Sequence, residues 1–210
     1  MTLALLHTSP LHVPVFDALR DEHHPGLELR HLVAPDLLAR ARAEGPEAVA
    51  PQVTAALERA ADGAGAVLCT CSTIGEVAER AAARVGVPVV RGDRPMAAAA
   101  VTAGPRVAVL ATVESTLAPT LALIEDEARR ANRTVRARVQ VVADAWNRFE
   151  AGDVEECARL VAAAADTVTD VDVIVLAQVS MASAQRLTTT SVPILSSPRS
   201  GLAAAVRAAE

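Results

Sequence analysis

A chain of 210 residues can bury a real core, either as one large domain or as two small ones. Its formal net charge of -5 leaves no basic footprint for nucleic acid. All 20 basic residues are arginine, so a Schiff base to pyridoxal phosphate, a lysine general base and a P-loop lysine are excluded. Three cysteines, two of them two residues apart, make neither a disulfide framework nor a zinc site, and they point to a reduced intracellular setting. The opening MTLALLHTSP lacks a positive n-region, and no apolar run reaches the roughly 18 residues that span a bilayer. A soluble, cytoplasmic protein with no membrane or nucleic-acid partner is expected.

Leu3 to Leu6 reads as a buried first strand that ends in His7-Thr8-Ser9-Pro10. Residues 11 to 24 look helical, and Leu27 to Leu32 alternates as a second, more exposed strand. Helical segments follow from Pro35 to about Gly45 and from Glu47 to Ala61. The apolar run Ala66-Val67-Leu68 then enters Cys69-Thr70-Cys71-Ser72-Thr73, a helix covers Gly75 to Arg84, and Val87 to Val90 forms the next strand. The same series begins again with the strand Arg106 to Leu110, a helix around Pro119 to Arg133, and a strand from Val135 to Val142. A helix from Asp153 to Val168, a strand from Val173 to Leu176, and a last strand from Val192 to Leu195 before a terminal helix complete it. Alternating strands and helices predict a parallel α/β architecture.

Residues 87 to 101, VPVVRGDRPMAAAAV, lie over residues 192 to 206, VPILSSPRSGLAAAV. Thr8 matches Thr112, and VLCTCS at 67 to 72 lies over VLAQVS at 175 to 180. These matches predict two pseudo-symmetric Rossmann-like lobes, residues 1–96 with 196–210 and residues 97–195, with a site in the cleft between them. In such a sheet, ligands sit outside the carboxyl ends of strands. Cys71, Ser72 and Thr73 stand at one such end, where the N–H groups at the start of the next helix suit an anion and are expected to lower the thiol pKa. Cys69, inside its strand, and Cys157, on a helix, read as core.

The two-lobed repeat, Cys71-Ser72-Thr73 in the position of a Cys-Asn-Thr motif, and Leu110-Ala111-Thr112 opening the second lobe resemble the aspartate/glutamate racemase superfamily. That group includes aspartate, glutamate and hydantoin racemases, arylmalonate decarboxylase and maleate isomerase, and the resemblance covers essentially the whole chain. It implies a cofactor-independent enzyme acting on a small carboxylate, with two cysteines on opposite sides of the substrate's α-carbon. Carried over, Cys71 is the catalytic thiol and Ser72 and Thr73 hold the carboxylate. The resemblance also gives Thr112, Ser115 and Thr116 a place in substrate binding. Where the family has Gly-Cys-Thr, this chain has Gln178-Val179-Ser180, so Val179 is expected to replace the second cysteine, with Ser180 beside it as a substrate contact. A single thiol fits one protonation, as in a decarboxylase, or one nucleophilic addition, as in the isomerase. A binding protein that kept the fold after losing catalysis is the alternative from another class.

His7 and Thr8 end the first strand, where they either line the site or lie in a surface loop. His12, His23, His24 and His31 read as solvated, with no spacing that suggests a metal. Asp93 either orients the cysteine or caps a helix, and Arg94 or Arg199 could hold a carboxylate. Glu114 either meets solvent or selects a positive group. The apolar helices leave a homo-oligomer open, and the scarcity of aromatic residues favours a small aliphatic acid.

Overall fold

The computed structural model describes residues 1–210, which divide into two compact units, Met1–Asp93 with Pro198–Glu210 and Arg94–Ser197. In the first unit, β1 (Thr2–His7) leads through a 3-10 turn to α1 (Val13–His23) and β2 (Glu28–Val33). The helices α2 (Pro35–Glu44) and α3 (Ala50–Ala61) return the chain to β3 (Ala66–Cys69), and α4 (Gly75–Val85) precedes β4 (Val89–Arg91). The second unit runs α5 (Arg94–Ala103), β5 (Arg106–Ala111), α6 (Leu117–Arg130), β6 (Arg136–Val141), α7 (Ala145–Glu150), α8 (Val154–Asp166), β7 (Val173–Leu176) and β8 (Ile194–Ser196). The last helix, α9 (Ser197–Ala209), packs with the first unit from Pro198 onward. The short α7 is absent from the sequence expectation, because six residues of Ala-Trp-Asn-Arg-Phe-Glu are too few to display a helical period.

Each unit holds one four-stranded parallel sheet, in the orders β2-β1-β3-β4 and β6-β5-β7-β8. The inner strands β1, β3, β5 and β7 are almost wholly buried, which is why they are continuous apolar runs with little alternation. The edge strands β2 and β6 carry charged residues, and β6 is exposed along its whole length. In the first unit α2, α3 and α4 bury Leu37, Val53, Leu57, Val77 and their neighbours against Leu6 and Val67. A fully buried leucine such as Leu57 contributes about 1.5–3 kcal/mol by that burial. In the second unit Met96, Val101, Leu123 and Ile124 pack on Val107, Val109, Val173 and Val175.

The strand order decides where a ligand can be held. From β1 the chain crosses to β2 on one side and then to β3 on the other, so the carboxyl ends of β1 and β3 flank a topological switch point. The equivalent place in the second unit lies at the ends of β5 and β7. No helix is long and apolar enough to cross a membrane.

Candidate active site

Cys71 follows β3 at the switch point of the first unit and is 8% exposed. Its sulfur takes a hydrogen bond from the Thr8 hydroxyl at the end of β1 and from the backbone N–H groups of Thr73 and Ile74. Both N–H groups precede the first helical residue of α4, so neither is used in the helix's own hydrogen bonds. Gly75 is required at the next position, since a Cβ there would stand 2.6 Å from Nε of Arg91. The three donors favour the thiolate, as the sequence leads one to expect. Burial outweighs them, however, and the net effect is a Cys71 pKa raised above the ordinary thiol value, with a smaller upward push from the Asp93 charge. At neutral pH the group is a thiol surrounded by donors that would stabilise it once its proton has left.

His7 is fully buried, so it is no surface-loop residue. Thr70 Oγ1 donates its single proton to the Leu6 carbonyl at 3.1 Å, and therefore accepts from His7 Nδ1 at 2.9 Å. This leaves Nε2 of His7 as the acceptor for Nδ1 of His31 at 2.8 Å, while Nε2 of His31 lies 3.3 Å from the Asp17 carboxylate. Burial, with help from the neighbouring His12 and His31, lowers the His7 pKa to about 3. Burial alone lowers that of His12 to about 4. The expectation that His12 and His31 are solvated is thus wrong: the β1 end draws both inward, His12 packing edge-on to the His7 ring and His31 stacking on it. Arg91 and Asp93, each 3% exposed at the side chain, form a two-pronged pair at 2.7 and 3.3 Å, with Glu79 3.8 Å from the guanidinium. Asp93 is committed to Arg91. Arg94 is committed to Asp126 and Glu127 of α6, and so is not free to hold a substrate carboxylate.

The second unit repeats this plan with different residues. The Thr112 N–H and Oγ1 lie 2.6 and 3.0 Å from Oε1 of Gln178. Thr116, Val179 and Ser180 are buried, Ser115 is half-buried, and Glu114 is exposed to solvent. The hydroxyls of Ser115 and Ser180 are enclosed without a hydrogen-bond partner.

The ladders also settle the internal register. Thr70 N–H donates to the Leu6 carbonyl, and Ala177 N–H donates to the Leu110 carbonyl. Gly65 and Asp172 make the corresponding bonds to Thr2 and Arg106. Leu6 corresponds to Leu110 just as Thr8 corresponds to Thr112. Thr70 therefore corresponds to Ala177, Cys71 to Gln178, Ser72 to Val179 and Thr73 to Ser180. The expectation that Val179 replaces a second cysteine is off by one residue. The Val-Leu identity that suggested it lies in strands buried on both faces, where one apolar residue substitutes for another and carries little register information. The side chains agree with the new pairing: Thr8 bonds to Cys71, and Thr112 bonds to Gln178.

The side chains form no group of three or more His, Cys, Asp or Glu that could hold a metal ion. Sequence reasoning missed Gln178, Thr70, His31 and Asp17; for Gln178 the available signal was a polar residue directly after a buried strand.

The aspartate racemase of Picrophilus torridus is similar in fold, with a TM-score of 0.75 at 13% identity over 99% of this chain and 94% of its own. A Gly74Cys mutant of arylmalonate decarboxylase in its sulfate-associated form matches at 0.65 and 18% identity over 100% of this chain and 93% of its own. A glutamate racemase from Bacillus anthracis matches at 0.67 and 14% identity over 98% of this chain and 80% of its own. A search of curated protein sequences gives no match. The family model for Asp/Glu/Hydantoin racemase matches residues 13–208, and the chain belongs to that family.

Proposed function

We propose that this protein moves a proton at the carbon next to a carboxylate, with Cys71 as the acid/base group and no cofactor, on a small acid in the cytoplasm. The observation that carries this reading is the Cys71 sulfur itself, at a strand-end switch point and met by the Thr8 hydroxyl and the Thr73 and Ile74 N–H groups. A thiol whose pKa is raised by burial starts as an acid. The same donors stabilise the thiolate left when the proton passes to a carbanion. Ser72 and Thr73, buried at the start of α4, are the candidates for holding the carboxylate.

A second reading, decarboxylation followed by one protonation, is favoured by Gln178. That residue corresponds to Cys71 in the second unit, and its amide is neither an acid nor a base near neutral pH. Solvent deuterium incorporation, followed by proton NMR over amino acids, hydantoins and substituted malonates, tests both. Exchange of an α-hydrogen supports the racemase-like reaction, release of carbon dioxide with one configuration of product supports the second, and full activity in Cys71→Ala would remove the basis of both.

A further inference from the structure

The repeat allows its two outer strands to be compared, β2 beside β1 and β6 beside β5. β2 is largely half-buried: Leu32 packs on the core of the first unit, His31 stacks on His7, and Arg30 donates to the carbonyls of Ala60 and Asp62. β6 lacks such cover, and every one of its residues is exposed. The N–H groups of Arg136 and Val142 donate to the carbonyls of Pro105 and Ala111, along the β5 side. Alternation along the strand therefore turns the N–H and C=O groups of Ala137, Val139 and Val141 away from β5, toward solvent. The side chains of the same three residues lie level with Val107, Val109 and Ala111, on the sheet face where α6 packs, while Arg136, Arg138 and Gln140 take the opposite face. Val139 and Val141 are 48% and 39% exposed. A cavity of about 400 Å³ between α6 and β6, lined by Leu121, Ile124, Ala128 and Val135, opens beside Ala137. β6 thus offers a row of outward backbone donors and acceptors, an apolar strip on one face and arginine on the other.

Charge decides what such an edge accepts. Residues 128–143 hold five arginines and no Asp or Glu. Arg129 and Arg130 pair with Asp126 of their own helix, whereas Arg133 and Arg138 reach the backbone carbonyls of Thr102 and Thr169. The charges of Arg133, Arg136 and Arg138 are left without a carboxylate. Two copies of β6 paired edge to edge would gather four arginines on one face with no acid to meet them, and like charges across strands destabilise the pair. We propose that β6 is a docking edge for an extended peptide whose side chains alternate apolar and acidic. The peptide adds a strand to the sheet through Ala137, Val139 and Val141, sets its apolar side chains over the valines and the α6 cavity, and meets Arg136 and Arg138 with its carboxylates. This interaction is separate from the proton transfer proposed above.

The probe is a synthetic peptide of alternating valine and glutamate, capped at both ends and titrated into the 15N-labelled full chain. The expected result is a shift of the Ala137, Val139 and Val141 backbone amides, slower hydrogen exchange at the same three, and an affinity that falls as salt is added. A peptide of alternating valine and lysine leaves them unmoved. Val139→Pro removes one outward N–H and keeps the ladder to β5, as proline at a sheet edge allows, and it weakens binding about tenfold. Arg136→Glu combined with Arg138→Glu reverses the preference between the two peptides, urea denaturation showing that this variant is folded. Equal binding of both peptides by wild type, no shift at the three amides at millimolar peptide, or a folded charge-reversed variant that still prefers glutamate would each overturn the inference. Shifts of the same amides with protein concentration alone, together with a doubled mass in solution, would overturn it in favour of a second copy of the chain.

Discussion

His7 and His12 make the stability of the first unit depend on pH, with a sign fixed by their environment. In the unfolded chain a histidine titrates near about 6.5, whereas burial holds His7 at about 3 and His12 at about 4 in the fold. As the pH falls below about 6.5 the unfolded chain binds protons that the native state refuses, so stability is highest above that pH and is lost toward acid. From about pH 7 to about pH 5 each ring costs about 2 kcal/mol, or about 4 kcal/mol for the two. The groups that face His7 are His12, His31 through its Nδ1, and, beyond His31, Asp17. Urea denaturation of wild type and His7→Asn at several pH values in this window provides the assay. Both proteins lose stability toward acid, and the loss in the variant is about half that of wild type. An equal loss would show that His7 is charged in the native protein, which contradicts a neutral ring donating through Nδ1 and accepting at Nε2.

Other consequences follow from the same unit. Asp93→Asn removes the carboxylate that pairs with the buried Arg91 guanidinium at 2.7 Å, and stability falls by about 3 kcal/mol; a loss below about 1 kcal/mol, measured in urea, would mean that the charge of Arg91 is met without Asp93. Cys71 alkylation by iodoacetamide, read by mass spectrometry, accelerates with pH beyond the ordinary thiol value of about 8.5, because burial raises its pKa. In the second unit Cys157, wholly buried and with its thiol pushed up to about 11, is likewise slow to react at neutral pH. A Cys71 rate that levels off near neutral pH would show that the helix N–H groups outweigh burial.

The parallel α/β design and the repeat were legible because both rest on long-period patterns: apolar strands, helices between them, and a Val-Pro pair heading the last strand of each half. Cys71 with Ser72 and Thr73 was legible because small polar residues directly after a buried strand mark its carboxyl end. What was hidden depends on register and on distant partners. Val179 stood in for the missing thiol because two buried strands, VLC and VLA, align equally well when slid by one residue, and only the ladder bonds of Thr70 and Ala177 choose between the registers. The direction of the Cys71 pKa was misjudged for a related reason: helix-start N–H groups can be read from local sequence, whereas burial of the sulfur depends on the packing of the whole unit. His31 looked solvated on an edge strand, yet it pairs in register with Leu5, two residues from His7, and stacks on the buried ring.

The central claim is that Cys71 exchanges the proton at the carbon beside a carboxylate. The most direct measurement is the rate of solvent deuterium incorporation at that carbon in wild type, Cys71→Ala and Cys69→Ala, with the first acid in the panel that wild type turns over. Cys69 is the control, a thiol two residues away that is 1% exposed and donates to the Cys71 carbonyl at 3.8 Å. Wild type and Cys69→Ala incorporate deuterium at similar rates, while Cys71→Ala is slower by about 100-fold or more, the range that loss of a positioned acid/base group produces. A Cys71→Ala rate within about tenfold of wild type would contradict the account.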